Sequence, residues 1–155
     1  MNININVNGS DQTFEANDRL TLLHLLRGEG LHSVKHGCES GDCGACTVLV
    51  DERPVVCCIM LAAQAEGKSV VTLEGAGGRD EVARLQGAFV ETGAIQCGYC
   101  TPAMILAAAA LLERRPGATE EEVREALAGV LCRCTGYVKP VEAVLRAART
   151  GGGEG

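Results

Sequence analysis

The number and spacing of its cysteines constrain this chain more than any other feature. Its 155 residues include nine cysteines, an odd number that fits poorly with complete disulfide pairing. Residues 1–7 alternate apolar and polar side chains, which is typical of a strand and not of a signal peptide. We therefore expect a reducing, cytoplasmic compartment, in which metal ligation explains the cysteines better than disulfides do. Eight of the nine fall into two groups: Cys38, Cys43, Cys46 and Cys58, then Cys97, Cys100, Cys132 and Cys134.

The first group has the C-x4-C-x2-C spacing of plant-type [2Fe–2S] proteins, followed by a fourth cysteine. Three thiolates must wrap one side of a compact cluster, so the backbone has to turn tightly and approach the inorganic sulfides. Gly37, Gly41 and Gly44 permit this approach, and backbone N–H groups can then donate to sulfur. A structural zinc site is the alternative, but zinc prefers short pairs of cysteines and fits this triple poorly.

The fourth ligand of the first group has two candidates, because Cys57 directly precedes Cys58. A hairpin predicted over residues 47–57 returns the chain to the first three cysteines. Side chains alternate along a strand, so only one of two neighbouring thiols can face the cluster. We predict Cys58 as the ligand and leave Cys57 without an assigned role.

The second group lies between two predicted helices. Its first two cysteines come just before a helix predicted over residues 101–114, and its last two come just after one predicted over 119–130. A Pro-Gly turn joins these helices, so they should lie antiparallel and bring four thiolates to one end of the pair. The positive N terminus of the first helix favours thiolates there. A four-thiolate zinc site and a thioredoxin-like Cys-x-x-Cys pair stay open as alternatives, although the latter should follow a strand.

The chain divides into two predicted domains. Residues 1–75 carry strand patterns and one helix, and a glycine-rich linker is predicted over 74–79. Residues 80–150 carry helical spacing, and residues 151–155 are predicted to be a flexible tail. The predicted strands cover residues 2–7, 11–16, 47–50, 54–57 and 69–73, and the predicted helices cover 21–27, 80–92, 101–114, 119–130 and 138–149.

Local signals mark the ends of some of these elements. Asn8-Gly9 predicts a hairpin turn between the first two strands. Thr21 or Asp18 can cap the first helix, and Thr119 with Glu122 forms a capping-box pattern for the helix predicted over 119–130.

Charge and hydropathy limit the classes of partner. The formal net charge is -6 and no basic block interrupts the sequence, which argues against a nucleic-acid partner. No apolar run approaches the ~20 residues that a membrane-spanning helix needs, so we expect no membrane span. Aromatic residues make up only 3% of the chain, so the predicted cores are aliphatic and rich in alanine.

Three motifs are distinctive in combination: Gly37-Cys38-x4-Cys43-Gly44-Ala45-Cys46-Thr47, Gln96-Cys97-Gly98-Tyr99-Cys100-Thr101-Pro102 and Cys132-Arg133-Cys134-Thr135-Gly136-Tyr137. Together they resemble the small iron–sulfur subunits of the xanthine oxidase family of molybdenum hydroxylases. That family includes xanthine dehydrogenase, aerobic carbon monoxide dehydrogenase, aldehyde oxidoreductase and bacterial dehydrogenases of N-heterocycles. The resemblance covers residues 3–149, which is nearly the whole chain.

The resemblance implies an α+β protein, with a β-grasp ferredoxin domain first and a four-helix-bundle [2Fe–2S] domain second. It implies a heterotrimer, whose further dimerisation stays open, with molybdopterin and molybdenum on a large subunit and FAD on a medium subunit. Electrons would run from molybdenum to the helical-domain cluster, then to the ferredoxin-domain cluster and to FAD. Gln96 would contact the pterin cofactor, and Cys134 would be the ligand nearest to it. The alternative for Gln96 is a cap on the following turn.

The chain departs from the family pattern at Val130, where Asn is common, and at Cys57, where small residues are usual.

We therefore expect the electron-transfer subunit of an oxidoreductase complex that performs no substrate chemistry alone. Xanthine or another purine is the first substrate to expect, and carbon monoxide, aldehyde or N-heterocycle dehydrogenases are the alternatives. A free-standing two-cluster ferredoxin-like carrier and a zinc-stabilised interaction module are the rivals from other classes. The sequence does not identify the substrate, because the substrate pocket would belong to another chain.

Overall fold

A five-stranded mixed sheet dominates the first half of the chain in the computed structural model, which describes residues 1–151. Its strands are β1 (Asn2–Val7), β2 (Ser10–Glu15), β3 (Thr47–Val50), β4 (Arg53–Val56) and β5 (Ser69–Val71). They lie in the order β2-β1-β5-β3-β4, with β1 parallel to β5 and the other neighbours antiparallel. A single helix, α1 (Leu22–Gly28), contributes to the same core as this sheet.

The hairpin of β1 and β2 follows directly from local sequence. Ile3, Ile5 and Val7 are buried, because alternate side chains of a strand point to the same face of the sheet. Asn8 and Gly9 both have positive φ, 53° and 84°, as the favoured two-residue hairpin turn requires. The predicted hairpin is confirmed.

Helix α1 closes the core of the sheet domain. Of the two candidate caps, Thr21 is the N-cap, and its side chain accepts a hydrogen bond from the His24 N–H at 3.3 Å. The helix buries four leucines, each of which stabilises the fold by about 1.5–3 kcal/mol through burial. They are Leu22, Leu23, Leu25 and Leu26.

In the part of the chain that the structure describes, five α-helices follow the sheet: α2 (Leu73–Ala76), α3 (Asp80–Glu91), α4 (Thr101–Arg114), α5 (Glu120–Ala128) and α6 (Val138–Gly151). Helix α4 is central, since α3, α5, α6 and β3 all contact it. Its residues 107–110 are alanines and are buried, which lets these neighbours approach closely. The predicted capping box starts α5, because the Thr119 and Glu122 side chains each accept the other residue's N–H. Within residues 1–151, none of the helices combines the length and the apolar character needed to cross a bilayer.

Several boundaries differ from the sequence prediction. Strand β4 ends at Val56, and Cys57–Ile59 form a 3₁₀ turn instead of continuing the strand. Residues 74–79, predicted as a linker, contain most of α2. Helix α6 continues to Gly151, the first residue of the predicted tail, and residues 152–155 lie outside the described residues.

The sheet and the helices share buried surface. Leu49 of β3 and Val71 of β5 belong to the same apolar cluster as Met104 and other residues of α4. At the surface, the Arg79 guanidinium donates to both carboxylate oxygens of Glu52 at 2.7 and 2.9 Å. The two halves of the molecule therefore pack directly against each other.

Candidate metal centres

The first three cysteines of the first group lie on the irregular loop between α1 and β3. A Cβ atom on Gly37 would lie 2.6 Å from the Cys43 Sγ, so only glycine leaves room for that sulfur. The backbone N–H groups of Ser40 and Cys43 each donate to the Cys38 Sγ at 3.4 Å. Hydrogen bonds from Ser40 and Cys43 lower the pKa of Cys38 to about 5, so this thiol ionises readily.

Cys46 and Cys58 complete the first group from buried positions. Cys46 directly precedes β3 and Cys58 lies in the 3₁₀ turn after β4, so the β3–β4 hairpin brings their side chains together. A hydrogen bond from Cys57 is the main reason that the pKa of Cys46 falls to about 6. Burial raises the pKa of Cys58 to about 11, so this thiol needs a positive partner to ionise.

The ninth cysteine, Cys57, is fully buried and its thiol donates to the Cys46 carbonyl at 2.9 Å. The neighbouring Cys46 thiol and burial both raise the pKa of Cys57 far above its ordinary value. Strand alternation was the wrong reason for separating Cys57 from Cys58, because both lie in the 3₁₀ turn. Successive side chains of such a turn still diverge, by about 120°. The hydrogen bond to the Cys46 carbonyl favours Cys58 as the fourth ligand.

The second group forms where α4 begins and α5 has just ended. Cys97 and Cys100 precede α4, and Cys132 and Cys134 follow α5. The Cys134 Sγ lies 3.6 Å from the Cys97 Sγ. The Cys100 and Cys132 thiols are also near enough for each to shift the pKa of the other. The helix pair thus brings together cysteines that are far apart in sequence.

Two thiols of the second group, Cys100 and Cys132, have pKa values shifted in opposite directions. Burial raises the pKa of Cys100 to about 12, and the neighbouring Cys132 thiol adds to this effect. Burial also acts on Cys132, but hydrogen bonds from the hydroxyl and the backbone of Thr135 outweigh it and lower the pKa to about 7. The Cys132 Sγ and the Thr135 Oγ1 are 3.2 Å apart.

Thr135 and Tyr137 hold the backbone and the thiol of Cys132 in place, and neither residue was assigned a role from sequence. The Tyr137 hydroxyl accepts a hydrogen bond from the Cys132 N–H at 2.9 Å, and the Tyr137 N–H donates to the Thr135 Oγ1 at 3.1 Å. Tyr137 has a φ of 68°, which is unusual for a residue other than glycine. The only sequence feature that pointed to Thr135 and Tyr137 was their place in the Cys-x-Cys-Thr-Gly-Tyr motif.

Gln96 lies at the exposed edge of the second group. Its side-chain Nε2 donates to the Cys134 carbonyl at 3.2 Å, which ties the chain before α4 to the chain after α5. The structure therefore shows a long-range contact for Gln96, across 38 residues of sequence, instead of a local cap on the next turn.

The thiols come in the arrangement that a binuclear cluster needs. A [2Fe–2S] cluster is bound by two thiolates on each of two irons. Cys97 pairs with Cys134 and Cys100 pairs with Cys132, which fits that requirement. Room beside Gly37 and backbone donors to sulfur fit it in the first group.

Comparison with protein families gives each half of the chain the same class of domain. Residues 5–70 match the 2Fe-2S iron-sulfur cluster binding domain, and residues 72–145 match the [2Fe-2S] binding domain. The chain is an iron–sulfur protein of two domains with two [2Fe–2S] clusters. This finding confirms the predicted fold class and the predicted number of clusters.

Comparison with individual proteins shows which family of iron–sulfur proteins the chain belongs to. The chain is 51% identical to the nicotinate dehydrogenase small FeS subunit of Eubacterium barkeri, over 88% of each chain. It is 46% identical to the xanthine dehydrogenase iron-sulfur-binding subunit of Escherichia coli O157:H7, over 96% of this chain and 94% of the relative. A chain of quinoline 2-oxidoreductase from Pseudomonas putida 86 superposes with a TM-score of 0.90 at 40% identity, over 97% of this chain and 94% of that one. The protein belongs to the small iron–sulfur subunits of molybdenum hydroxylases of the xanthine dehydrogenase family, as its motifs predicted.

Proposed function

We propose that this chain carries electrons within a molybdenum hydroxylase complex that oxidises a nitrogen heterocycle. Each bound [2Fe–2S] cluster takes up and releases one electron at a time, which divides a two-electron oxidation into single-electron steps. The chain's own part is to hold, space and shield these centres. The ligands would be Cys38, Cys43, Cys46 and Cys58 in the ferredoxin domain, and Cys97, Cys100, Cys132 and Cys134 in the helical domain.

The convergence of exposed thiols supports this assignment most directly. Cys97 and Cys134 are both exposed, and their sulfurs lie 3.6 Å apart although α4 and α5 separate them in the chain. Packing of a hydrophobic core does not explain this meeting, because exposed side chains contribute little burial. A shared ligand bound by both sulfurs explains it.

The helical domain, in this proposal, faces the molybdenum cofactor of the large subunit. Gln96 and Cys134 are exposed at the same end of the domain and are joined by a hydrogen bond. Leu131 and Val138, which flank the last two cysteines in sequence, are 56% and 61% exposed. A subunit that covers this end would bury apolar side chains and could bring its pterin to Gln96 and Cys134.

The ferredoxin domain would then face the electron acceptor. Cys38 is exposed on its loop, so a partner can approach the first cluster closely. We propose an FAD-binding medium subunit as this partner, in a heterotrimer located in the cytoplasm. A free-standing carrier is the less favoured candidate, because it would leave the exposed apolar side chains beside Cys134 uncovered.

Three named relatives support the substrate class. Nicotinate, xanthine and quinoline, the compounds in their names, are all nitrogen heterocycles. Xanthine and other purines are the first candidates within this class, and aldehydes and carbon monoxide stay as alternatives.

Purification of the tagged chain from its native host tests this function. The proposal predicts that molybdenum and FAD co-purify with the chain. It also predicts that a nitrogen heterocycle bleaches the cluster absorbance under anaerobic conditions, whereas aldehydes and carbon monoxide do not. A chain that carries both clusters but co-purifies with no molybdenum-containing subunit would instead be a free-standing carrier.

A further inference from the structure

A direct contact joins the two loops that carry the cysteine groups. The Leu131 N–H donates to the Cys43 carbonyl at 2.8 Å. Cys43 belongs to the first group, and Leu131 is the residue before Cys132 of the second. Backbone atoms and one hydrogen bond therefore connect a cysteine of one group to a cysteine of the other.

Gly44 makes this contact possible. It has a φ of 67°, and a Cβ atom at this position would lie 1.8 Å from the Gly129 carbonyl oxygen. Real Cβ atoms essentially never approach other atoms within 3.0 Å, so any larger residue would force the two loops apart by more than an ångström. The atom that such a Cβ would meet is the backbone carbonyl oxygen of Gly129, the C-cap of α5. A backbone oxygen cannot rotate away as the end of a side chain can. We call Cys43, Gly44, Gly129 and Leu131 the seam.

A second contact joins the loop of the first group to the other segment of the second group, the one before α4. The Tyr99 hydroxyl donates to the His36 carbonyl, and the Lys35 Nζ lies 5.9 Å from the centre of the Tyr99 ring. Tyr99 stands between the first two cysteines of the second group, and His36 stands two residues before the first group. The loop of the first group therefore contacts both cysteine-bearing segments of the second.

We propose that the seam and the Tyr99–His36 contact together fix the separation and relative orientation of the two clusters, with Gly44 and Tyr99 as the positioning residues. The inference rests on the proposed function, because it takes Cys43 and Cys132 as cluster ligands. A displacement at Gly44 moves both of these residues relative to each other, since they lie directly beside the seam. The consequence is a change in the interaction between the two bound centres, beyond any loss of stability.

The chain offers a matched control for Gly44→Ala outside both cysteine groups. Gly67 has a φ of 70°, so Gly67→Ala imposes a similar backbone strain. A Cβ atom at Gly67, however, meets no other atom within 4 Å, so nothing has to move to make room for it. The pair of variants thus separates backbone strain from displacement at the seam.

The test uses the full chain, purified anaerobically with its clusters. Iron and sulfide are measured first, and the fully reduced protein is then examined by EPR for the splitting or relaxation that each cluster causes in the other's signal. Gly44→Ala is expected to weaken this interaction while keeping its iron, and Gly67→Ala is expected to leave it as in the unmodified chain. Equal interactions in the two variants would overturn the inference.

Tyr99→Phe provides a second test of the inference, by the same EPR measurement, if Gly44→Ala does not retain its iron. This variant removes only the hydroxyl that donates to the His36 carbonyl, and it introduces no clash. A weakened interaction with full iron content would support the inference that the two contacts act together, and an unchanged interaction would overturn it. Low iron in the unmodified chain would instead contradict the ligand assignment, so the two failures are distinguishable.

Discussion

Two neighbouring thiols, Cys57 and Cys58, are held in different ways. The Cys57 thiol donates a hydrogen bond to the Cys46 carbonyl. We propose its neighbour, Cys58, as a cluster ligand. Cys57→Ser should therefore keep both EPR signals of the reduced protein, because a hydroxyl can make the same donation. Cys58→Ser should lose or strongly alter one signal, because a hydroxyl is a poor substitute for a thiolate ligand. The opposite pattern would make Cys57 the fourth ligand.

Gln96 provides a second test at the scale of single residues. Gln96→Ala should leave both clusters assembled, because Gln96 is not among the proposed ligands. Loss of the hydrogen bond that we propose between Gln96 and the cofactor would cost about 1 kcal/mol, so we expect about fivefold weaker molybdenum retention or slower reduction by substrate. Gln86→Ala, on α3, is the matched control and should change neither quantity. If Gln96→Ala matches this control in molybdenum content and reduction rate, Gln96 serves only to join the chain around Cys134.

At the scale of elements, the carboxylate of Glu74 fixes α2 against the sheet domain. It accepts hydrogen bonds from the Ser33 N–H at 2.8 Å and from the Thr72 hydroxyl at 2.7 Å. Burial tends to raise the pKa of Glu74, but the hydrogen bonds from Ser33 and Thr72 outweigh it and lower this pKa. A lowered carboxyl pKa stabilises the folded state above the ordinary pKa of the group. That contribution is lost as the pH falls through the folded-state pKa.

Glu74→Gln should therefore destabilise the protein at neutral pH and much less in acid. We expect a loss of about 1 kcal/mol at pH 7, after allowance for partial exposure, and a fall of a few degrees in Tm. Thermal unfolding followed by circular dichroism at pH 7, 5 and 4 measures the change. Glu15→Gln, exposed on β2, is the control. An effect of equal size at pH 7 and pH 4 would show that the charge of Glu74 is not the cause.

Elements with local signals were predictable from sequence, and elements held by distant contacts were not. The Asn8-Gly9 turn and the Thr119 capping box depend on residues within a few positions of each other, and both are confirmed. Helix α2 spans only four residues, and its Glu74 bonds to Ser33, 41 positions away. A short element of this kind has no periodicity to detect.

The glycines of the first loop show the same limit at the site. The sequence indicated one shared reason for them, the approach of the backbone to inorganic sulfide. In the structure, Gly37 leaves room for the Cys43 sulfur, whereas Gly44 leaves room for the Gly129 carbonyl of the other domain. The grouping of the cysteines could be predicted from spacing. The contact between the two groups depends on how the domains pack, which spacing alone does not reveal.

At the scale of the whole molecule, a shared core makes one unit of the two domains. Leu49 of β3 is buried among the side chains of α4, and the seam lies where the two cysteine groups approach each other. The fold thus holds two metal centres in one small chain with little freedom between them. This arrangement suits a subunit that sits between a substrate-oxidising partner and an electron acceptor.

Metal analysis of the purified chain shows whether eight cysteines hold two [2Fe–2S] clusters. Anaerobically purified chain should contain about four irons and about four acid-labile sulfides, with little zinc. Its reduced form should show two distinct EPR signals, because burial and hydrogen bonding to sulfur differ between the two groups. About two irons per chain, or zinc in stoichiometric amount, would contradict the account.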